Sequence, residues 1–125
     1  MNESKMQKSD ELSQILSELK NKGNLDGVIF ANRDGGLILE NLENQFDSQK
    51  FVSMSASVLE SAVGIGDTIG NQKIKKIIAE LEEKTILIFE CDIKTFLILI
   101  INKKSNISYI FDNLDDIIKK IGRLY

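Results

Sequence analysis

The chain has 125 residues, of which 42% are hydrophobic and 28% are charged, and this length and balance fit one folded domain. The net charge is −3, from 16 Lys and Arg against 19 Asp and Glu. This charge argues against nucleic acid or an anionic membrane as the main partner, because both bind concentrated basic surfaces. No apolar stretch approaches the ~20 residues of a membrane-spanning helix, so direct membrane insertion is not expected.

Missing residue types exclude several kinds of active site. The chain contains no His, which excludes the Ser-His-Asp triad, the HExxH zinc site and the acid–base roles of imidazole. The single cysteine, Cys91, cannot form an intrachain disulfide, and the start of the chain has no apolar leader, so we expect a cytoplasmic location. We predict no catalytic residue, no cofactor and no metal site, and therefore a protein that is not an enzyme.

The chain begins with a polar, unpatterned segment. We predict a flexible tail over residues 1–8, followed by one domain over residues 9–125. The first element of that domain is a surface helix, capped at Ser9 or Asp10 and ended by Gly23 in a left-handed conformation. Its apolar stripe follows the spacing i, i+3, i+4 and i+7 and consists of Leu12, Ile15, Leu16 and Leu19.

Residues 25–42 predict a β-hairpin. Two β-prone runs, residues 28–31 and 37–39, flank Asp34-Gly35-Gly36, whose residues tolerate positive φ. Arg33 lies at this turn, and a solvated turn residue is the favoured interpretation over an arginine finger that reaches into another protein's nucleotide site. Both faces of the strands are apolar, which predicts a sheet covered on both sides.

A second helix of different character is predicted over residues 48–69. Its apolar positions cover about 200° of the helical wheel, which is wider than packing on one sheet requires. Between Phe51 and Gly66 the only charged residue is Glu60. The remaining surface carries small residues, namely Ser53, Ser57, Ser61 and Gly64. Such a helix is typical of one that meets other protein on more than one side.

The last third of the chain contains one ambiguous segment. Residues 71–84 match the helical period, but a strand there would complete a meander with the two runs that follow. Residues 85–91 and 96–102 are short, β-branched and apolar on both faces, so they predict central strands. Residues 106–122 predict a final amphipathic helix with Ser105 as its N-cap.

The order helix, two strands, helix, three strands, helix resembles the Roadblock/dynein light chain family. Residues 25–38 carry most of the likeness, with a Gly that opens the first strand and an acidic-Gly turn, and the second helix and residues 85–101 add to it. The resemblance covers about residues 10–122. It implies a three-layer α/β/α sandwich, an α+β fold of the profilin type, with a five-stranded antiparallel sheet. It also assigns residues 71–81 mostly to a strand. The extra Gly at the hairpin turn departs from the family pattern and predicts a bulge.

The resemblance further implies a dimer, since family members pair their second helices antiparallel and their third strands edge to edge. If the two-fold axis passes near Ile78, Lys76 faces Glu80 of the mate, and Lys73 faces Glu83; opposite charges across strands are favourable. The residues that we expect at a homodimer interface are Phe51, Val58, Ala62, Ile65, Ile74, Lys76, Ile78 and Glu80.

Members of the family regulate or dock small Ras-like GTPases, and prokaryotic members include homodimers that accelerate hydrolysis by rearranging the switch segments without inserting a catalytic residue. The resemblance therefore implies a regulator that presents its paired second helices to a GTPase switch region. The residues that we expect to meet the GTPase are Ser53, Ser57, Glu60, Ser61 and Gly64. Two alternatives stay open: a passive assembly adaptor, and a sensor domain for a small molecule.

Overall fold

The computed structural model describes the backbone of residues 2–125 and the side chains of residues 7–125. Over that range the chain forms three helices and five strands. In chain order they are α1 (Asn2–Gly23), β1 (Gly27–Asn32), β2 (Leu37–Leu42), α2 (Ser48–Thr68), β3 (Ile77–Glu80), β4 (Thr85–Glu90), β5 (Thr95–Ile101) and α3 (Ile107–Leu124). This order confirms the predicted succession of elements.

The five strands form one antiparallel sheet in the order β2-β1-β5-β4-β3. One face packs against α1 and α3 around Leu16, Leu99 and Ile110. The opposite face packs against α2 through Val52, Leu59 and their neighbours. The central strand β5 is buried along its whole length, because helices cover both of its faces. The three-layer α/β/α sandwich is therefore confirmed.

The first helix differs from its prediction at both ends. It begins at Asn2, so the predicted start at Ser9 or Asp10 is wrong. Residues 2–11 contain no Pro or Gly to interrupt the helix. The flexibility of residues 1–8 stays a prediction, and Met1 lies outside the described residues.

The C-terminal end of α1 is closed by an asparagine. Asn24, and not Gly23, adopts the left-handed conformation, with φ of 51°. The amide of Leu25 then donates to the carbonyl of Lys20 at 2.9 Å, the hydrogen bond that closes a Schellman motif. Gly23 is needed for a different reason: a Cβ there would lie 3.3 Å from Ile110 of α3, so the missing side chain lets the two helices approach.

The hairpin has the predicted turn and also the predicted bulge. Phe30 pairs with Leu39 and Ala31 with Leu37, so Ile38 is the extra residue of β2. Gly35 has a φ of 99°, and the amide of Asn32 donates to the carbonyl of Gly36 at 2.8 Å to close the turn.

Two other boundaries are corrected by the structure. The third strand is confirmed, but it spans only Ile77–Glu80, whereas residues 71–76 are irregular. The N-cap of α3 is Asn106, whose side chain accepts from the amide of Tyr109 at 3.1 Å, and not Ser105. The Ser105 hydroxyl instead accepts from the amide of Asn102 at 3.0 Å, so it stabilises the turn before the helix.

A polar network joins the start of β1 to the ends of β3 and β5. The Asp26 carboxylate accepts from Lys84 and, at 2.7 Å, from Asn102. The hydrogen bond from Lys84 is the main cause that lowers the pKa of Asp26, so this carboxyl is ionised at neutral pH. The network fixes the β3–β4 turn beside the first residues of β1.

Gly66 lies where the chain folds back after α2. The amide of Gln72 donates to the carbonyl of Gly66 at 2.9 Å, and a Cβ on Gly66 would lie only 2.2 Å from the carbonyl oxygen of Gln72. In contrast, a Cβ on Gly64, one half-turn earlier in the same helix, would meet nothing within 4 Å.

We expect Gly66→Ala to lower the free energy of unfolding by about 1–3 kcal/mol, because the methyl group displaces the backbone of the return segment. Gly64→Ala is the matched control, and we expect it to raise the free energy of unfolding by about 0.5–1 kcal/mol, since alanine is the better helix former. Urea unfolding followed by circular dichroism measures both changes. Equal effects of the two substitutions would contradict the close contact at Gly66.

Candidate protein-interaction surface

The orientation of α2 determines which of its residues reach solvent. Asp47 caps the helix by accepting from the amide of Lys50 at 3.1 Å. Val52, Ala56 and Leu59 are buried against the strands. Leu59 is the last fully buried residue of α2, so the final nine residues of the helix pack only partly on this chain.

An apolar stripe runs along one flank of α2. We define it as Met54, Val58, Ala62, Ile65 and Ile69. Ala62 is half-buried, but the other four side chains are 61%, 48%, 63% and 69% exposed, respectively. Large apolar side chains in one continuous row are typical of a surface that another protein covers.

A serine strip runs along a different flank of the same helix. We define it as Ser53, Ser57, Glu60, Ser61 and Gly64, and all five residues are exposed. The hydroxyl of Ser57 donates to the carbonyl of Ser53 at 3.3 Å, so part of the polar surface of this strip is already satisfied within the helix. Small side chains allow a second backbone to approach closely.

Two contacts show which way each flank faces. Phe51, on the side of the apolar stripe, lines a groove with Leu81 at the end of β3. Ser53, on the side of the serine strip, lies beside the hairpin turn, where a Cβ on Gly35 would be 3.5 Å from the Cα of Ser53. The apolar stripe therefore faces the β3 edge of the sheet, and the serine strip faces away from it.

The edge strand β3 lies next to the apolar stripe. β3 is the last strand of the sheet, paired with β4 on one side only. Ile78 and Glu80 are exposed on this edge, and the ammonium group of Lys76 lies 4.5 Å from the centre of the Phe111 ring, a cation–π contact. Glu83 has a partner within the chain, because Lys103 lies 3.1 Å from its carboxylate.

Comparison with protein-family models gives one match, to the Roadblock/LC7 domain, over residues 11–102. The chain belongs to the Roadblock/LC7 family. The matched range runs from α1 to just past β5 and includes both flanks of α2 and the β3 edge. No curated protein sequence matches the chain significantly.

Solved structures with the Roadblock/LC7 fold superimpose closely on this chain at low sequence identity. MglB of Myxococcus xanthus has a TM-score of 0.84 at 14% identity, covering 91% of this chain and 94% of that chain. The gliding protein MglB of Thermus thermophilus has a TM-score of 0.83 at 9% identity, covering 92% and 88%. A Roadblock/LC7 domain of Streptomyces avermitilis has a TM-score of 0.80 at 10% identity, covering 88% and 93%. These likenesses show that the fold is shared.

The structure distributes the eight residues expected at a dimer interface over four environments. Val58, Ile65 and Ile78 are exposed apolar residues, as an interface requires. Phe51 and Ile74 pack partly against the core of their own chain. Ala62 is half-buried, and Lys76 and Glu80 are exposed on the β3 edge. Their role in a dimer stays a prediction.

Sequence reasoning left two exposed residues of the apolar stripe, Met54 and Ile69, out of the interface set. The signal that identifies them is their helical phase, since they recur at spacings of three and four residues with Val58 and Ile65. Leu81 was missed for a different reason: its exposure depends on where β3 ends, which the local sequence does not define.

Contacts within the chain restrain the guanidinium of Arg33 and the thiol of Cys91, the two side chains with the most obvious reactive potential. The guanidinium of Arg33 lies 3.0 Å from the carboxylate of Glu90, which supports the interpretation of Arg33 as a turn residue. Burial, with the nearby charge of Asp92 in a secondary role, raises the pKa of the Cys91 thiol to about 12, so this thiol is protonated at neutral pH. Within residues 2–125, no helix is long and apolar enough to cross a membrane.

Proposed function

We propose that this chain is a homodimeric, non-catalytic regulator of a small Ras-like GTPase and that it presents paired α2 helices to the switch region of that GTPase. The observation that carries the proposal is the division of the exposed surface of α2 into two flanks of different chemistry. The apolar stripe suits a permanent contact that excludes water. The serine strip suits a contact that forms and breaks, because its small polar residues are soluble when uncovered.

The arrangement of the apolar stripe supports an antiparallel pair of α2 helices. Met54 and Ile69 lie at equal distances from the point between Ser61 and Ala62, and so do Val58 and Ile65. In an antiparallel pair centred there, each of these four residues meets an apolar counterpart on the second helix, and at the centre Ala62 meets the small side chain of Ser61.

The charges on the third strand support pairing of the same two copies through their edges. Antiparallel pairing about Ile78 brings Lys76 opposite Glu80 of the second copy, and symmetry repeats the pair. Both side chains are exposed in the single chain, and the pairing exchanges the cation–π contact of Lys76 with Phe111 for an ion pair with Glu80 of the second copy. A strand with this charge order attracts itself in one register and repels itself in others.

The serine strip supports the GTPase part of the proposal. It lies on the outer side of α2 beside the hairpin turn at Gly35, where its residues other than Ser61 stay uncovered when the apolar stripes pair. Glu60 is its only charged residue, and a carboxylate there suits a basic side chain of the partner. GTPase regulation itself comes from the family resemblance.

The first prediction concerns the apolar stripe. We expect Val58→Glu to raise the dissociation constant of the dimer by about 100-fold or more, because symmetry buries two carboxylates close to the axis. Sedimentation equilibrium measures the constant, and circular dichroism verifies that the exposed position leaves the fold intact. Ile93→Glu is the matched control, since Ile93 is 81% exposed in the β4–β5 turn. A Val58→Glu variant that remains dimeric would overturn the proposed interface.

The second prediction concerns the register of β3. We expect Lys76→Glu and Glu80→Lys each to weaken the dimer about tenfold at low salt, since each creates two like-charged pairs. The double variant restores opposite charges, and we expect it to recover most of the lost affinity. Glu82→Lys is the control for an added positive charge outside these pairs. A double variant as weak as the single variants would exclude this register.

The third prediction tests regulation. With a small Ras-like GTPase from the same organism, we expect the native protein to change GTP hydrolysis or the release of labelled GDP. Ser57→Arg and Glu60→Lys should each reduce this effect at least tenfold while leaving the dimer intact, because both residues lie on the serine strip. Ser13→Arg, on the exposed side of α1 across the sheet, is the matched control.

The same assay distinguishes the regulator from a passive adaptor. An adaptor would bind the GTPase through the serine strip without changing hydrolysis or nucleotide release. Binding that is lost in Ser57→Arg, together with rates that the native protein leaves unchanged, would therefore support the adaptor and contradict regulation.

A further inference from the structure

A groove of about 280 Å³ lies beside the start of α2. Its walls include Phe46, Phe51 and Leu81, and its floor includes Ile86 and Ile100. The rings of Phe46 and Phe51 are 5.3 Å apart in an edge-to-face arrangement, and the side chains of Phe46 and Leu81 are exposed. Asp26 and Lys84, which form an ion pair, also line the groove. The groove is therefore an apolar hollow whose rim is held in place.

We propose that this groove is the socket for Ile69 of a second copy of this chain, so that a dimer contains two identical sockets. The inference rests on the proposed homodimer and adds to it a specific contact at each end of the paired helices. Two independent features of the chain, one in α2 and one in β3, place the same segment of the second copy against the groove.

The first feature is the symmetry of the apolar stripe. In the antiparallel pair centred between Ser61 and Ala62, Met54 of one copy lies opposite Ile69 of the other. Phe51 lies almost one turn before Met54 and lines the groove. The C-terminal end of the second α2 therefore reaches the mouth of the groove, with Ile69 as the last residue of its stripe.

The second feature is the register of β3. Leu81 lies three residues after Ile78, so antiparallel pairing about Ile78 places it opposite residue 75 of the second copy. The groove is then flanked by the segment that connects α2 to β3 in that copy, residues 69–76. Helix symmetry and strand symmetry thus bring the same connecting segment to the same place.

Within that segment, Ile69 is the residue whose chemistry fits the socket. It is the most exposed residue of the apolar stripe, whereas Ile74 packs partly on the core of its own chain. Glycine or polar residues occupy the other positions of 70–76. The amide of Ile69 donates to the carbonyl of Gly66 at 3.3 Å, so the backbone at the end of the helix holds the side chain at a defined point.

Cross-linking tests this contact directly. In a Cys91→Ala background, chains that carry Ile69→Cys are mixed with tagged chains that carry Leu81→Cys, and a short bismaleimide is added. We expect a cross-linked heterodimer, which only an intermolecular contact can produce. Tagged chains with Ile93→Cys in place of Leu81→Cys are the matched control, because Ile93 is more exposed than Leu81 but lies in the β4–β5 turn. Cross-linking no greater than that control would contradict the socket.

A double-mutant cycle supplies the second measurement. We expect Ile69→Ala and Leu81→Ala each to raise the dissociation constant of the dimer about tenfold, and the double variant to raise it by much less than the product, because both remove the same contact. Both side chains are exposed in the single chain, so neither substitution threatens the fold.

The outcomes separate the socket from the dimer. Suppose that Val58→Glu dissociates the dimer but that Ile69→Ala and Leu81→Ala leave its dissociation constant unchanged, or raise it by factors that simply multiply in the double variant. The dimer is then correct and the socket is wrong. If the native chain sediments as a monomer at every concentration, the proposed dimer fails, and the socket fails with it.

Discussion

The arrangement of this protein depends on a mismatch of widths between one helix and one sheet. Five strands spaced about 4.8 Å apart make a sheet roughly 20 Å wide, whereas a helix with its side chains is about 10 Å across. On one face of the sheet, α1 and α3 together meet this width. On the other face, α2 is the only helix among residues 2–125, and it leaves apolar surface uncovered toward β3.

This mismatch explains why α2 has two exposed flanks of different composition. Exposed apolar surface is costly in water, so the flank toward the uncovered part of the sheet forms the apolar stripe. The opposite flank lies beside the β1–β2 turn and faces solvent in a single chain, so it carries small polar residues. One helix thereby carries two exposed surfaces of different chemistry.

The connection between α2 and β3 combines a tight return at Gly66 with entry into a short edge strand. The chain reverses direction directly after the end of α2. The carbonyl of Gly66 accepts from the amides of both Ile69 and Gln72, which holds the return segment against the last turn of the helix. The return segment then enters a strand of only four residues. As an edge strand paired with β4, β3 leaves about half of its backbone N–H and C=O groups without a strand partner, and pairing with a second strand would satisfy those groups.

Several elements could be predicted from the sequence because their local signals agree with their tertiary environment. The hairpin around Gly35, the buried strands β4 and β5 and the amphipathic helix α3 all have residue patterns that fit one structure only. The start of α1 was mispredicted because Ser9 and Asp10 are good caps that the structure leaves inside an exposed helix. Asn106 replaced Ser105 as the cap of α3 since neighbouring polar residues compete for the same amide hydrogens.

For the candidate surface, the sequence by itself determined that α2 carries too little charge and too much apolar area for a helix covered on one side. It also placed small residues and a lone Glu60 together along that helix. Only the tertiary structure decided which flank faces which part of the molecule, because this depends on how α2 lies across the sheet. The same holds for β3: residues 74–81 have a helical period, and they form a strand at Ile77–Glu80 because β4 offers an open row of hydrogen-bonding groups, an interaction between distant parts of the chain that no local pattern encodes.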